Sequence, residues 1–295
     1  MTLLKKYDYI VIGGGSGGIG SANRAAMHGA KVLLIEGNEF GGTCVNVGCV
    51  PKKVMWQASD LLESMKRDAN GYGISPQGIT VDFKKLVDNR EGYIRVLHGA
   101  YSRGLAGNGV ETIKGYAQFV DNQTVTVNGE QFQGTHILIA TGGRPCRLEV
   151  PGGEYAQNSD QFFELTTLPK NPIVIGGGYI AAEIGGVMHG LGSNVSWAYR
   201  HNRPLRNFDE MLSNHLVELY QQDGIQMYAQ FVPASIEKVG ETYTVHFENG
   251  ESLTGDYVFF AGGRTPNVDN IGLEKTDVDL SPEGVVVVDK FQNTT

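Results

Sequence analysis

The sequence predicts an α/β chain of two tandem three-layer (ββα) domains, because one structural plan occurs twice along its 295 residues. Each copy starts with a short apolar strand, passes through a glycine-rich turn into a helix, and reaches a second strand. In the first copy we expect strands at 7–12 and 31–35 with a helix over 19–28. In the second copy we expect strands at 172–175 and 194–199. Matching order and spacing predict an internal repeat of one folding unit.

Each copy then continues through a β-meander insert. Alternating apolar residues flank Asn128-Gly129 in the first copy and Asn249-Gly250 in the second. An Asn-Gly pair in that setting is a strong hairpin signal. Each hairpin leads into an apolar strand that ends in Gly-Gly-Arg, at 142–144 and at 262–264. The meander is therefore part of the repeat.

These patterns define the expected domain boundaries. The first domain covers 1–150 and carries a helical insert over 40–115. The second domain covers 151–266, and the segment 267–295 begins an incomplete return to the first domain.

Composition and charge exclude several classes of protein. Hydrophobic residues make up 41% and charged residues 19%, so the chain can bury ordinary cores. The formal net charge of −8 argues against broad binding to nucleic acid or anionic membranes. Three cysteines are too few for a secreted disulfide scaffold, and we see no leader or membrane-length apolar run. We expect a cytoplasmic protein.

The first glycine turn has the spacing of a dinucleotide-binding fingerprint. Gly13 would make the turn, Gly15 would let a pyrophosphate approach the backbone, and Gly18 would let the helix pack on the strand. Glu36, at the end of the second strand, is placed to accept hydrogen bonds from a ribose. The turn therefore predicts a Rossmann-like dinucleotide-binding domain, without separating FAD from NAD.

The second turn carries the same fingerprint with a different strand end. Gly176, Gly178 and Ala181 take the three positions, and Arg200 stands where an NAD site would place an acid. Arg206 follows shortly after it. Guanidinium groups can hold a 2′-phosphate through bidentate bonds, so this site favours NADPH over NADH.

Two cysteines, Cys44 and Cys49, lie five residues apart at the start of a predicted helix. A helix N-terminus and nearby lysines are expected to lower a thiol pKa, and such a pair can form a reducible disulfide. Two buried free thiols or half of a metal site are the alternatives. We expect no metal, because Cys146 is the one other cysteine and the histidines are not clustered.

With its flanks, the stretch 41–53 resembles the redox motif of the flavoprotein pyridine nucleotide-disulfide oxidoreductases. The continuation after Pro51 is most similar to the glutathione reductases of that family. The resemblance covers nearly the whole chain, including both glycine turns, the Ala-Thr-Gly at 140–142 and the segment 263–267.

The resemblance implies roles for individual residues. The residues that would contact FAD are Ser16, Gly17, Glu36, Thr43, Cys44, Lys52 and Ala117. The residues that would serve NADPH are Tyr179 and Ile180 at the nicotinamide, Arg200 and Arg206 at the 2′-phosphate, and Gly263 along the dinucleotide backbone. Glu183 would pair with Lys52, and Arg24 and Tyr101 would lie near the glutathione site.

The implied reaction is reduction of glutathione disulfide by NADPH through FAD and a Cys44–Cys49 disulfide. Cys49 would face the flavin, Cys44 would attack the substrate, and Lys52 would stabilise negative charge on the flavin. Reduction of another disulfide, such as thioredoxin or a different small thiol, is an alternative. A nucleotide-binding fragment without catalysis is another, and a non-disulfide flavin enzyme of the same fold ranks lower.

The resemblance also implies more chain than the sequence holds. An interface domain that supplies the dimer surface and a His-Glu proton donor would follow residue 295. We therefore interpret the chain as a C-terminally truncated member with impaired turnover, whose parent protein is a homodimer. The motifs assign none of the seven histidines a role.

Overall fold

The computed structural model of the chain describes residues 4–295, which divide into two compact units. The first unit contains 4–49, 92–144 and 265–295, and the second contains 50–91 and 145–264. The chain thus crosses between units close to the boundaries expected at 150 and 266. Residues 50–91, which we expected in the insert of the first domain, group with the second unit. The functional domain assignment stays a prediction, because it rests on cofactor binding rather than on compactness.

The two units contain seven α-helices and fifteen strands within the described residues. The helices are α1 (Ser16–Met27), α2 (Gly42–Asn46), α3 (Cys49–Asp68), α4 (Phe83–Gly107), α5 (Ser159–Phe162), α6 (Tyr179–Gly190) and α7 (Glu210–Asp223). The first six strands are β1 (Lys5–Ile12), β2 (Val32–Glu36), β3 (Glu111–Lys114), β4 (Gln118–Asp121), β5 (Thr124–Val127) and β6 (Glu130–Ile139). The others are β7 (Gly143–Pro145), β8 (Pro172–Ile175), β9 (Ser196–Tyr199), β10 (Gln226–Ala229), β11 (Pro233–Val239), β12 (Thr242–Phe247), β13 (Ser252–Gly255), β14 (Tyr257–Phe260) and β15 (Arg264–Pro266).

The first unit is built on a six-stranded sheet in the order β3-β2-β1-β6-β5-β4. Strand β1 pairs in parallel with both β2 and β6, and β5 and β4 continue antiparallel. Successive residues of β1 face different cores: Val11 packs with Ile19 and Ala22 of α1, whereas Ile10 packs with Phe119 on the other side. Burial on both faces explains the continuous apolar run of this strand.

The second unit uses two sheets. A parallel sheet has the order β10-β9-β8-β14, and an antiparallel sheet has the order β11-β12-β13. Ile173 and Val258 of the first sheet share a core with Ile236 and Val245 of the second. The buried side of α6 includes Ala181, Ile184 and Val187. The predicted α/β class with Rossmann-like parallel sheets is confirmed.

The two copies of the repeat differ where the meander rejoins the parallel sheet. In the first unit one strand, β6, pairs with β5 over its first part and with β1 in parallel. In the second unit β13 ends at Gly255 and β14 starts at Tyr257. Between them the Asp256 carboxylate accepts from the backbone N–H groups of Lys170 and Asn171, at 2.8 Å each. These bonds hold a bend at Asp256. The bend separates the meander from the parallel sheet, so the meander forms a sheet of its own.

None of the helices described within 4–295 is long and apolar enough to cross a membrane.

Candidate nucleotide and redox sites

The first glycine turn connects β1 to α1 in a shape that only glycine fits. Gly13 has a φ of 109°, and a Cβ there would collide with the carbonyl of Ala140. A Cβ on Gly18 would collide with the carbonyl of Gly13. Because α1 begins at Ser16, its first backbone N–H groups have no partner within the helix. The turn therefore offers a helix N-terminus of the kind that binds phosphate.

Glu36 closes this turn from the end of β2. Its carboxylate accepts from the N–H of Gly14 at 2.5 Å and from the N–H of Asn38 at 2.6 Å. A cavity of about 470 Å³ opens beside it, and Gly13, Glu36 and Ala117 all line it. The structure thus brings Gly13 of the dinucleotide fingerprint together with Glu36 and Ala117, two residues that the resemblance assigned to FAD.

The same cavity is lined by residues to which the sequence gave no role. Arg144 donates to Asp269 at 2.5 Å, and the N–H of Asn267 donates to the carbonyl of Gly142 at 2.9 Å. Arg144, Asn267 and Asp269 all line the cavity. The Gly-Gly-Arg motif and the Pro-Asn after the second copy were visible in the sequence. The sequence did not predict that these two segments lie together in the first unit, because the contact forms only after the chain returns to that unit.

The stretch that carries the cysteines is docked on the first glycine turn. Gly41 and Gly42 have φ values of 101° and 57°, in the left-handed region that favours glycine. The N–H of Gly41 donates to the carbonyl of Gly14 at 2.8 Å. A Cβ on Gly42 would come within 2.7 Å of the Cα of Gly15. This close approach places α2, with Cys44, directly against the turn.

Cys44 and Cys49 are both thiols, and they lie close enough for the Cys49 side chain to raise the pKa of Cys44. The Ser16 side chain and the Cys49 backbone also act on the Cys44 sulfur, and both lower its pKa. Cys44 is half-buried and Cys49 is exposed. The arrangement joins the first turn of α1, the short helix α2 and the start of α3.

Burial raises the pKa of the Cys44 thiol, and the neighbouring Cys49 side chain raises it further. The bonds from Ser16 and from the Cys49 N–H lower the pKa but do not outweigh burial. The expectation that the helix start and the lysines lower the thiol pKa is therefore wrong for Cys44. Desolvation disfavours the thiolate more than these donors favour it.

In the second unit, Lys52 and Glu183 form an ion pair with an Nζ–Oε1 distance of 2.8 Å. Lys52 comes from α3 and Glu183 from α6. This is the pairing that the family resemblance implied. The roles of the two residues in catalysis stay predictions.

The second glycine turn reproduces the geometry of the first. Gly176 has a φ of 142°, and a Cβ there would press on the carbonyl of Ala261, at the end of the neighbouring strand. The N–H of Gly176 donates to Ala198 at 3.0 Å, and the Trp197 indole donates to the carbonyl of Gly176 at 2.6 Å. Helix α6 begins at Tyr179, directly after Gly178, and its residue Ala181 is fully buried.

A cavity of about 500 Å³ extends from this turn to the end of β9. Its lining includes Gly176, Gly178, Tyr179, Arg200, Arg203, Arg206 and Gly263. No carboxylate of the described residues lies within ion-pair distance of these three arginines. Within residues 4–295, the Nη1 atom of Arg203 is buried and has no hydrogen-bond partner. The cavity therefore has a concentration of positive charge suited to an anionic group.

His201 is a residue of this cavity that the sequence reasoning missed. Its Nε2 accepts from Arg200 Nε and from Arg206 Nη1, at 3.2 Å each. The ring thereby holds the two guanidinium groups at one point. Its position immediately after Arg200 could have indicated this role.

The structure locates the remaining predicted residues, and their roles stay predictions. Arg24 is exposed on α1, and Tyr101 of α4 packs against the core around Val11. Thr43 is exposed on α2, and Ile180 is half-buried at the start of α6.

Comparison with known proteins bears on this pair of turns and thiols. The sequence pattern described as pyridine nucleotide-disulphide oxidoreductase matches residues 7–295. The chain belongs to this family.

Three curated relatives are each called glutathione reductase. The protein of Schizosaccharomyces pombe is 41% identical over 98% of this chain, that of Debaryomyces hansenii is 41% identical over all of it, and that of Yarrowia lipolytica is 39% identical over all of it. The chain spans 65% of the length of the first and 66% of the length of each of the others.

Proposed function

We propose that the chain carries the nucleotide sites and redox thiols of an NADPH-dependent, FAD-containing enzyme that reduces glutathione disulfide. The observation that carries the proposal is the pair of neighbouring thiols, Cys44 and Cys49, in a stretch docked against a nucleotide-type glycine turn. The relatives named glutathione reductase support the choice of substrate.

The two cofactors are assigned to different units. FAD is assigned to the first unit, because its glycine turn, Glu36 and Ala117 border one cavity and the thiols adjoin that turn. NADPH is assigned to the second unit, because three arginines without carboxylate partners among the described residues line the cavity there. Bound FAD would supply the hydride acceptor that no amino-acid side chain provides.

The chemistry of the thiols follows from disulfide exchange. The Cys44 thiolate attacks one sulfur of glutathione disulfide, breaking its S–S bond and releasing one glutathione thiolate, which takes up a proton. The Cys49 thiolate then attacks Cys44 Sγ in the mixed disulfide and releases the second glutathione. The pair ends as a disulfide, and two electrons from NADPH restore the two thiols.

The raised pKa of Cys44 bears on this step. Only the thiolate is the nucleophile, so a raised pKa reduces its share at neutral pH. Among the described residues, Ser16 and the Cys49 backbone favour the thiolate at the Cys44 sulfur. A proton acceptor near Cys44 would speed the attack.

The other assignments belong to the same proposal. Lys52 and Glu183 are proposed to act beside the flavin, Tyr179 and Ile180 to line the nicotinamide pocket, and Arg24 and Tyr101 to contact glutathione. We further propose that the full-length protein is a homodimer, as the family resemblance implies, and that it works in the cytoplasm.

A trapping experiment tests the thiol assignment. The chain with Cys49→Ser is reduced, freed of reductant and mixed with glutathione disulfide, and its adducts are located by peptide mass spectrometry. We expect a stable glutathione adduct on Cys44, whereas the unsubstituted chain should form the Cys44–Cys49 disulfide and release two glutathiones. Cys146→Ser is the matched control and should behave as the unsubstituted chain. Adducts that form on Cys146 as fast as on Cys44 would refute the assignment.

A further inference from the structure

Asn46 lies between the two cysteines and closes the turn that carries Cys44. Its Nδ2 donates to the carbonyl of Gly42 at 2.9 Å. Longer contacts of 3.4 Å reach the carbonyls of Glu39 and Phe40. The side-chain amide therefore faces the backbone that leads into α2. Such side-chain-to-backbone bonds fix a local turn.

The other end of this amide is held by α4. His98 Nε2 lies 2.6 Å from Asn46 Oδ1. Because Asn46 Nδ2 is committed to carbonyl acceptors, Oδ1 is the acceptor here and His98 Nε2–H is the donor. Both side chains are half-buried, so water competes with this bond less than at an exposed site.

The helix that carries His98 is anchored by buried side chains. From residue 92 onward α4 belongs to the first unit, and its residues Ile94 and Leu105 are buried there with exposures of 4% and 0%. The start of the cysteine stretch is fixed by the backbone bond from Gly41 to the glycine turn. The bond from His98 to Asn46 fixes its middle.

We propose that His98 is a positioning residue for the redox pair, acting through Asn46. The inference rests on the proposed function, since it concerns the formation of the Cys44–Cys49 disulfide. Disulfide formation within a chain depends on how often the two sulfurs meet. By tying α2 to α4, the His98–Asn46 bond keeps Cys44 where its sulfur contacts Cys49.

The test measures the equilibrium constant for the Cys44–Cys49 disulfide against glutathione, on the complete 295-residue chain. The chain is equilibrated in anaerobic glutathione buffers, quenched with acid and alkylated, and its disulfide fraction is counted by mass spectrometry. His98→Phe keeps a ring but removes the donor, and we expect the constant to fall by about fivefold, as for one lost neutral hydrogen bond.

Two further variants separate positioning from general damage. His98→Gln can place an amide N–H near the position of Nε2, and it should stay within about twofold of the unsubstituted chain. Val96→Ala changes an exposed residue of the same helix, 63% accessible, and should leave the constant unchanged. Helix content and melting temperature are recorded for each variant.

An unchanged constant in His98→Phe would overturn the inference, as would a fall in His98→Gln as large as that in His98→Phe. If His98→Phe does not fold, His98→Leu gives the decision, because it also removes the donor and leaves the bond from Asn46 to Gly42 in place. A fall of about fivefold in His98→Leu supports the inference, and an unchanged constant refutes it. If the unsubstituted chain forms no Cys44–Cys49 disulfide in any buffer, the proposed function itself fails.

Discussion

Removing Arg200 should weaken binding of NADP⁺ while leaving binding of NAD⁺ unchanged. Arg200 and Arg206 both donate to His201 Nε2, so the two guanidinium groups converge at one end of the cavity of the second unit. A 2′-phosphate at that point would accept charge-assisted hydrogen bonds from both. NAD⁺ has no phosphate there, so Arg200→Ala costs it nothing at this contact.

The size of the effect follows from the exposure of the side chain. A hydrogen bond to a charged group contributes about 1.5–3 kcal/mol when sheltered from water. Arg200 is exposed, so we reduce this to about 1–2 kcal/mol for the bond to the phosphate. The dissociation constant for NADP⁺ should therefore rise by about five- to thirtyfold.

Isothermal titration calorimetry with NADP⁺, NAD⁺ and 2′,5′-ADP measures this prediction. Arg147→Ala removes an exposed cation of the same unit that does not line the cavity, and it serves as the control. The expected loss for NADP⁺ and 2′,5′-ADP should shrink at high salt, because exposed charge interactions are screened. Equal losses for NADP⁺ and NAD⁺, or equal losses in the control, would refute the reasoning.

Two more predictions concern the first unit. Gly18→Ala should lower the free energy of unfolding in urea by about 1–3 kcal/mol, because the new Cβ meets a backbone carbonyl. Gly20→Ala in the same helix has open space and should raise the free energy of unfolding by about 0.5–1 kcal/mol. Equal shifts in the two variants would contradict this reasoning. Cys49→Ala removes a side chain that raises the pKa of Cys44, so at pH 8 Cys44 should react faster with iodoacetamide. Ser16→Ala removes a donor that lowers that pKa and should slow the reaction, and the same direction of change in both variants would show the account of this thiol to be wrong.

The short strands, the glycine turns and the hairpins could be predicted from the sequence, because neighbouring residues determine them. The strand expected at 172–175 occupies those four residues, because a run of buried apolar residues ends at a glycine that needs positive φ. A Cβ at Gly13 or at Gly176 would press on the carbonyl that ends the neighbouring strand, so the repeat seen in the sequence is also a repeat of the same close backbone approach. The Asn-Gly hairpins followed from turn chemistry in the same way.

Features that depend on distant contacts were beyond such patterns. Whether the meander forms its own sheet depends on the bonds that Asp256 makes to residues far earlier in the chain. The role of His201 depends on two arginine side chains turning towards it. The pKa of Cys44 depends on how deeply the thiol is buried, which no spacing of residues reports.

The proposed function requires that this chain pass electrons from NADPH to the Cys44–Cys49 pair. The most direct measurement is an anaerobic titration of the FAD-supplemented chain with NADPH, followed by its visible spectrum. We expect a long-wavelength charge-transfer band that appears during reduction and is absent in Cys49→Ser. Failure to bind FAD, or complete bleaching of the flavin with no such band, would contradict it.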